Sequence, residues 1–326
     1  MKRKIIEITI IGSGHYAIDL ISKEYTRNNN CVIKAVIANS YDKNKVENSP
    51  LKNVPFFKDL TEWKTKFGKA DSNDLFDLCV HENSVLDIVK ELVKTGAKNI
   101  ILPKPLPLAK KSIDQLLTIQ KEKNTNMFVA SQWHYCDILD KTRLILNKLK
   151  KDNKLKKVTV DFSQTFSEEH LRKYSVVTAL LPHMIQVLSK IGLDEFKITR
   201  NIEVNNSSST NLEIKYKIDK PYPFEIKLMT DLKSKEKRRN LYAYDENGNI
   251  LLSLTFSGNN MHKYPILYYN KRYFEAREHD LTKMVKEEIK SLIDNNKNKK
   301  VNKIMNLEDY LDIQKMLITI NGKIQK

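Results

Sequence analysis

The stretch "ITIIGSGHYAIDL", Ile8–Leu20, decides how this chain is read. It places two of only eight glycines, Gly12 and Gly14, one residue apart behind the strand-like run Ile8-Thr9-Ile10-Ile11. Glycine adopts positive φ and lets another molecule come close to the backbone, so the pair marks a special turn. After the turn, apolar residues at Ala17, Ile18, Leu20, Ile21 and Tyr25 follow the spacing of a helix with one buried face.

Outward from this stretch the chain alternates. Cys31–Ala38 is a β-branched run that reads as a strand, Leu60–Phe67 as a short helix and Asp74–Val80 as a third strand. A helix follows, with apolar positions at Val85, Ile88, Val89, Leu92 and Val93 and a stop at Gly96. "NIILPKPL" reads as a strand and a proline-rich loop, "SIDQLLTIQKEKN" as a helix capped by Ser112, and "MFVASQW" as a further strand. Strands and helices in strict alternation imply βαβ units and a parallel sheet.

That context turns "GSGHYA" into a GxGxxA dinucleotide fingerprint between the first strand and the first helix. Gly12 makes the turn, Gly14 admits a pyrophosphate and Ala17 lets helix pack on strand. Ser13, His15 and Tyr16 complete the loop, and the helix N-terminus offers N–H groups and dipole charge to phosphates. An NAD site normally has an acid at the end of the second strand, binding the ribose 2′-hydroxyl. Here Asn39 and Ser40 stand there, with Lys43 and Lys45 close by to pair with a 2′-phosphate. NADP(H) is therefore favoured over NAD(H), although Asp42 serves the ribose if the register shifts slightly.

The length of 326 residues suggests two domains at about 150 residues each, drawn here as 1–128 and 129–326. No apolar run reaches the roughly 20 residues of a membrane helix, and Glu7 interrupts the N-terminal apolar stretch, which reads as a strand and not as a signal peptide. The net charge is +17, but the basic residues are spread, with concentrations at Lys148–Lys157, Lys233–Arg239 and Asn295–Lys300 where helix ends or loops are expected. Interleaved acids and asparagines fit a solvated surface, so no specific nucleic-acid partner is expected. Cys31, Cys79 and Cys136 are widely spaced without a CxxC pair, which gives neither a metal site nor a disulfide framework and fits a cytoplasmic protein. In the second half, "KKVTVDFSQTF", "LEIKYKID" and "PFEIKLMTDL" read as strands, and "RNLYAYDENGNILLSLTF" as a hairpin turning at Asn247-Gly248. Two late helices, "DLTKMVKEEIKSLIDNN" and "NLEDYLDIQKMLITI", complete an α+β pattern.

At "TGAKNIILPKPLPLAKKSIDQLLTI" the chain resembles the glucose-fructose oxidoreductase, inositol dehydrogenase and MocA-type family (Gfo/Idh/MocA). Lys104 and Pro105 match the family's "EKPLA" loop, with Pro103 in place of its glutamate; the resemblance implies that Lys104 reaches the nicotinamide and the reacting group. "MFVASQWHYCDILDKTRLI" is similar to the segment that faces the family's substrate pocket, which puts Trp133, His134 and Tyr135 there, His134 replacing an arginine. "YSVVTALLPHMIQVLSKIGL" is similar to the family helix that carries an Asp and, four residues later, a His. His183 aligns with that histidine, and Ala179 occupies the Asp position. His81, in "CVHENS", takes the place of the family's "TPN" at the cofactor site.

The resemblance implies an N-terminal Rossmann parallel-sheet domain and a C-terminal α+β domain on a mostly antiparallel sheet, which also serves for dimerisation. It implies an NAD(P)H-dependent oxidoreductase that moves a hydride to or from a carbonyl, hydroxyl or imine carbon of a small molecule, sugar-derived or a biosynthetic intermediate. Lys104, His183 and Tyr135 would be catalytic, while Trp133, His134, Tyr135 and His183 would bind substrate. The alternative is a sensor or scaffold that binds NAD(P) without turnover.

Overall fold

The runs of Ile, Val, Leu and Phe in the first 130 residues form six parallel strands. They are β1 (Ile6–Ile11), β2 (Cys31–Ile37), β3 (Phe56–Phe57), β4 (Asp74–Leu78), β5 (Asn99–Leu102) and β6 (Asn126–Val129). The computed structural model describes residues 5–193, 202–205, 208–218, 222–256, 264–276, 278–295 and 304–324. The sheet order is β3-β2-β1-β4-β5-β6. This is the doubly wound order of a Rossmann sheet, whose direction reverses between β1 and β4; ligands bind at the strands' carboxyl ends beside such a reversal. Every residue of β4 and β5 is buried, as expected for central strands covered on both faces.

Two local expectations are corrected. Ser112 lies inside the helix Lys110–Lys123, and Ala109 occupies the cap position, because the chain is already extended as it leaves the proline-rich loop. Strand β3 was not expected; it makes only the pairs Val36–Phe56 and Ile37–Phe57, too short to show a period.

The described residues fall into two compact units, one from residues 1–131 and 281–314, the other from 132–280 and 315–326. Much of the late helical segment, expected with the second half, thus belongs to the first unit. The reason is backbone pairing: the Val129 N–H donates to the Met305 carbonyl at 2.9 Å, and Phe128 bridges Asn306, which covers the edge left open at β6. Gln314 Nε2 likewise donates to the carbonyls of Leu106 at 3.2 Å and Pro107 at 3.1 Å.

The second unit is built on an eight-stranded sheet. Its strands are β7 (Lys157–Thr165), β8 (Ile202–Asn205), β9 (Asn211–Ile218), β10 (Phe224–Asp231), β11 (Lys233–Tyr244), β12 (Ile250–Thr255), β13 (Ile266–Tyr269) and β14 (Arg272–Glu275). They lie in the order β14-β13-β12-β11-β7-β10-β9-β8, antiparallel except for β7 with β10. Alternate residues of β9 and β10, such as Leu212, Ile214, Ile226 and Leu228, are buried, as period-two patterning requires. The β11–β12 hairpin turns over Asp245–Asn249, where the Asp245 carboxylate accepts from the N–H groups of Asn247 and Asn249. The basic run Lys233–Arg239 lies within β11 and not in a loop or helix end. The run Asn295–Lys300 lies outside the described residues from 296 onward. Among the described residues, no helix is long and apolar enough to cross a membrane, and no group of three or more His, Cys, Asp or Glu could hold a metal ion.

Candidate functional site

Gly12 and Gly14 are needed for different reasons. Gly12 has φ +116°, and a Cβ there would lie 2.3 Å from the Cys79 carbonyl oxygen, so the approach of β1 to β4 excludes any side chain. The Gly12 N–H donates to Ile37 and the Cys79 N–H to Ile11, which ties the ends of β1, β2 and β4 together. A Cβ on Gly14 would meet nothing within 4 Å. The first glycine therefore serves the sheet, and the second leaves open space at the carboxyl ends of the strands.

Residues Tyr16–Ile21 then form a π-helical turn that runs into the α-helix Ser22–Thr26. No side chain caps its start, which leaves N–H groups for an anion, and the fully buried Ala17 packs beneath it. Such π-turns are rare and concentrate at functional sites. His15 is exposed, with Nδ1 2.7 Å from Asp19 Oδ2. Ser13 Oγ donates to the Ser40 carbonyl at 2.6 Å and pins the glycine turn to the end of β2. Asn39 and Ser40 are exposed there. Asp42 caps the helix Lys43–Glu47 by accepting from the Lys45 N–H at 3.2 Å. The open cradle at Gly14 and the uncapped helix start fit a dinucleotide's pyrophosphate.

Beneath the turn lies a group that the sequence reading did not single out. Asp77, 2% exposed, accepts from the Tyr25 hydroxyl at 2.8 Å. The phenol of Tyr16 is turned inward, and its buried hydroxyl has no hydrogen-bond partner among the described residues. Burial and the Asp77 carboxylate hold the Tyr16 and Tyr25 phenols well above their ordinary range, and burial does the same to the Cys79 thiol. Glu288 is also buried and acts on both phenols. The signal available in the sequence was a second acid, at an interior position of the buried strand "DLFDL".

Burial pushes Asp77 up to about 6 from 3.8, against the pull of Tyr25, the Lys104 ammonium and Cys79. Between these values the unfolded chain has released this proton while the folded chain retains it, so the group removes stability as pH rises from about 4 to 6. The loss is on the order of 3 kcal/mol. Asp77→Asn abolishes that contribution. In urea unfolding, the stability of the variant relative to wild type should climb over this range and level off above pH 6; a difference independent of pH contradicts the assignment.

Lys104 follows β5, and its Nζ donates to the Ala130 carbonyl, just past β6, at 2.8 Å. The ammonium is half-buried and close enough to Asp77 to act on its ionisation. Pro105 beside it is buried. His81 follows the end of β4, half-buried, with Nδ1 3.1 Å from Glu82 Oε2. The first unit thus brings the glycine turn, Asn39, Ser40, His81 and Lys104 to the carboxyl ends of one parallel sheet.

The second unit holds the other candidates. The segment expected as one helix is broken into Val176–Ala179 and Leu181–Lys190, because Pro182 has no N–H to donate and begins a new helix instead. His183 is half-buried in the first turn of the second piece, four residues past the half-buried Ala179. Trp133 lies in the 3₁₀ turn Gln132–Tyr135, fully buried, and its indole Nε1 donates to His183 Nδ1 at 2.9 Å. An indole can only donate, so Nδ1 carries the lone pair and the ring proton sits on Nε2. Trp133 also packs edge-on against Phe162 and Phe256. Trp133 thus holds the His183 ring from the core. Tyr135 is 5% exposed and His134 half-buried, with their rings 5.1 Å apart.

No family model and no curated protein sequence matches the chain. Solved structures do. A 3-ketoreductase from Actinomadura kijaniata, in complex with TDP-benzene and NADP, superposes with a TM-score of 0.73 at 9% identity, over 98% of each chain. An aldose-aldose oxidoreductase from Caulobacter crescentus gives 0.72 at 7% identity, over 99% of this chain and 98% of that one. UDP-N-acetylglucosamine 3-dehydrogenase from Acidithiobacillus ferrooxidans gives 0.67 at 10% identity, over 98% and 97%. At these identities the likeness establishes the fold: a Rossmann parallel sheet followed by a mostly antiparallel sheet unit, shared over nearly the whole chain.

Proposed function

We propose that this chain is an NAD(P)H-dependent oxidoreductase of the Gfo/Idh/MocA type. The observation that carries the reading is the Gly14 cradle and uncapped helix start beside the reversal of strand order, with the Lys104 ammonium at the carboxyl end of β5 in the same sheet. Three fold neighbours, a 3-ketoreductase in complex with NADP, a UDP-N-acetylglucosamine 3-dehydrogenase and an aldose-aldose oxidoreductase, support it. When bound, the nicotinamide would supply or accept the hydride. Gly12, Ser13, Gly14, His15 and the backbone of Tyr16 would hold the phosphates, Asn39 and Ser40 the adenosine ribose, and His81, Lys104 and Pro105 the nicotinamide end.

Lys104, as an ammonium, donates a proton to the oxygen or nitrogen that gains charge when a carbonyl or imine is reduced. His183, fixed by Trp133 with its proton on Nε2, donates a hydrogen bond and does not take up a proton there. His134 and Tyr135 would lie at the edge of the substrate site. The substrate would be a small molecule, sugar-derived or a biosynthetic intermediate, and the protein would work as a homodimer in the cytoplasm. A sensor or scaffold without turnover is the second reading, favoured by Ala179 where the family has its carboxylate.

The ribose end supplies the test. With no carboxylate at Asn39 or Ser40 and Asp42 committed to a cap, NADPH should bind about 10-fold more tightly than NADH in parallel titrations. Equal affinities, or a preference for NADH, would return Asp42 to the ribose.

A further inference from the structure

Successive residues of β11 point to opposite faces of the second sheet, and the two arginines there meet different surroundings. Arg238 Nε donates to the Asp161 carboxylate at 2.8 Å. Arg239 faces the other way, on the side of the buried Leu241 and Ala243, opposite Phe162 of β7. One of its terminal nitrogens donates to Gln164 Oε1 at 3.3 Å, while its Nε is sealed from solvent and has no acceptor among the described residues. No carboxylate lies within ion-pair distance of it among those residues; Asp280 acts on it only through space.

Lys237, half-buried and two residues earlier, is close enough to feel the Arg239 charge. Burial and that charge both lower the lysine's affinity for its proton, and burial lowers that of Arg239. Two cations this close, the Arg239 guanidinium largely desolvated and influenced by one acid at a distance, cost stability unless something anionic completes the site.

The location connects this pair to the candidate substrate residues. The Arg239 carbonyl accepts from the Phe256 N–H at 2.8 Å, and the Phe256 ring lies 4.9 Å from that of Trp133, which holds His183. Arg239 and His183 thus flank one aromatic cluster within the second unit.

We propose that Arg239 and Lys237, with Gln164, bind an anionic group, a carboxylate or a phosphate carried by the substrate. The planar guanidinium offers paired donors to either group, and the lysine adds a movable point charge. Only the identification of this anion as part of a substrate rests on the oxidoreductase reading; the binding itself does not.

The test is calorimetric titration of the full chain with inorganic phosphate and with acetate at constant ionic strength. Wild type should bind at least one of the two saturably, and the tighter of the two identifies the group. Arg239→Gln and Lys237→Gln should each weaken that binding about 10-fold or more. Arg238→Gln removes the same charge from the opposite face and should leave it unchanged, which separates this site from general attraction to a basic protein. The phosphate cradle at Gly14 is intact in all these variants and contributes equally. Saturable binding that survives both Arg239→Gln and Lys237→Gln overturns the proposal, as does a loss in Arg238→Gln of equal size. If the variants behave as expected while no NADPH-consuming substrate is found, the anion site stands and the enzymatic reading falls.

Discussion

Replacing Lys104 with methionine should lower turnover about 100-fold or more, the usual contribution of a positioned general acid or base, with little change in dinucleotide affinity. Methionine keeps most of the length of the side chain and removes both its charge and its transferable proton. The substitution also breaks the hydrogen bond to the Ala130 carbonyl, which lies next to β6 and not in the glycine turn, so the phosphate cradle is untouched. Asp77 loses a stabilising cation as well. The buried carboxyl should then protonate at a still higher pH, an accompanying shift readable in the same urea titrations that compare Asp77→Asn with wild type. Turnover is measured as NADPH oxidation on a substrate found by screening keto sugars, keto acids and imines. An undiminished rate removes Lys104 from the chemistry.

Much of the first unit was legible because its signals are local and physically strict. A central parallel strand is covered on both faces and so is rich in apolar residues, which makes β1, β4 and β5 announce themselves despite Glu7, Asp74 and Asp77, and a residue with φ +116° beside a carbonyl must be glycine. What the sequence hid depends on contacts between distant segments. The strand β3 consists of two phenylalanines placed by β2, and the pairing of Val129 with Met305 joins residues 176 positions apart. Trp133 carries no mark that separates a core side chain from a pocket wall, and its hydrogen bond to His183 is set by the fold. Asp77 and Arg239 were missed for opposite reasons. The acid sits inside a strand that otherwise reads as buried core after Asp74, whereas the arginine is one of several cations in Lys233–Arg239, and only strand alternation separates it from the paired Arg238.

The contrast between the two glycines gives the second large effect. Gly12→Ala places a methyl group 2.3 Å from a backbone carbonyl in a conformation that L-residues avoid, so several kcal/mol of stability should be lost and the protein should unfold at lower urea concentration. A Cβ at Gly14 meets no protein atom within 4 Å, so Gly14→Val should leave stability almost unchanged, yet it fills the space through which a pyrophosphate must approach. Equilibrium titration of NADPH into wild type and Gly14→Val, with circular dichroism and urea unfolding run alongside, therefore tests the central claim most directly. Saturable binding by wild type, weakened about 100-fold in a variant of unchanged fold and stability, is the predicted result; equal binding by the two proteins, or none by wild type, would contradict a dinucleotide site at this turn.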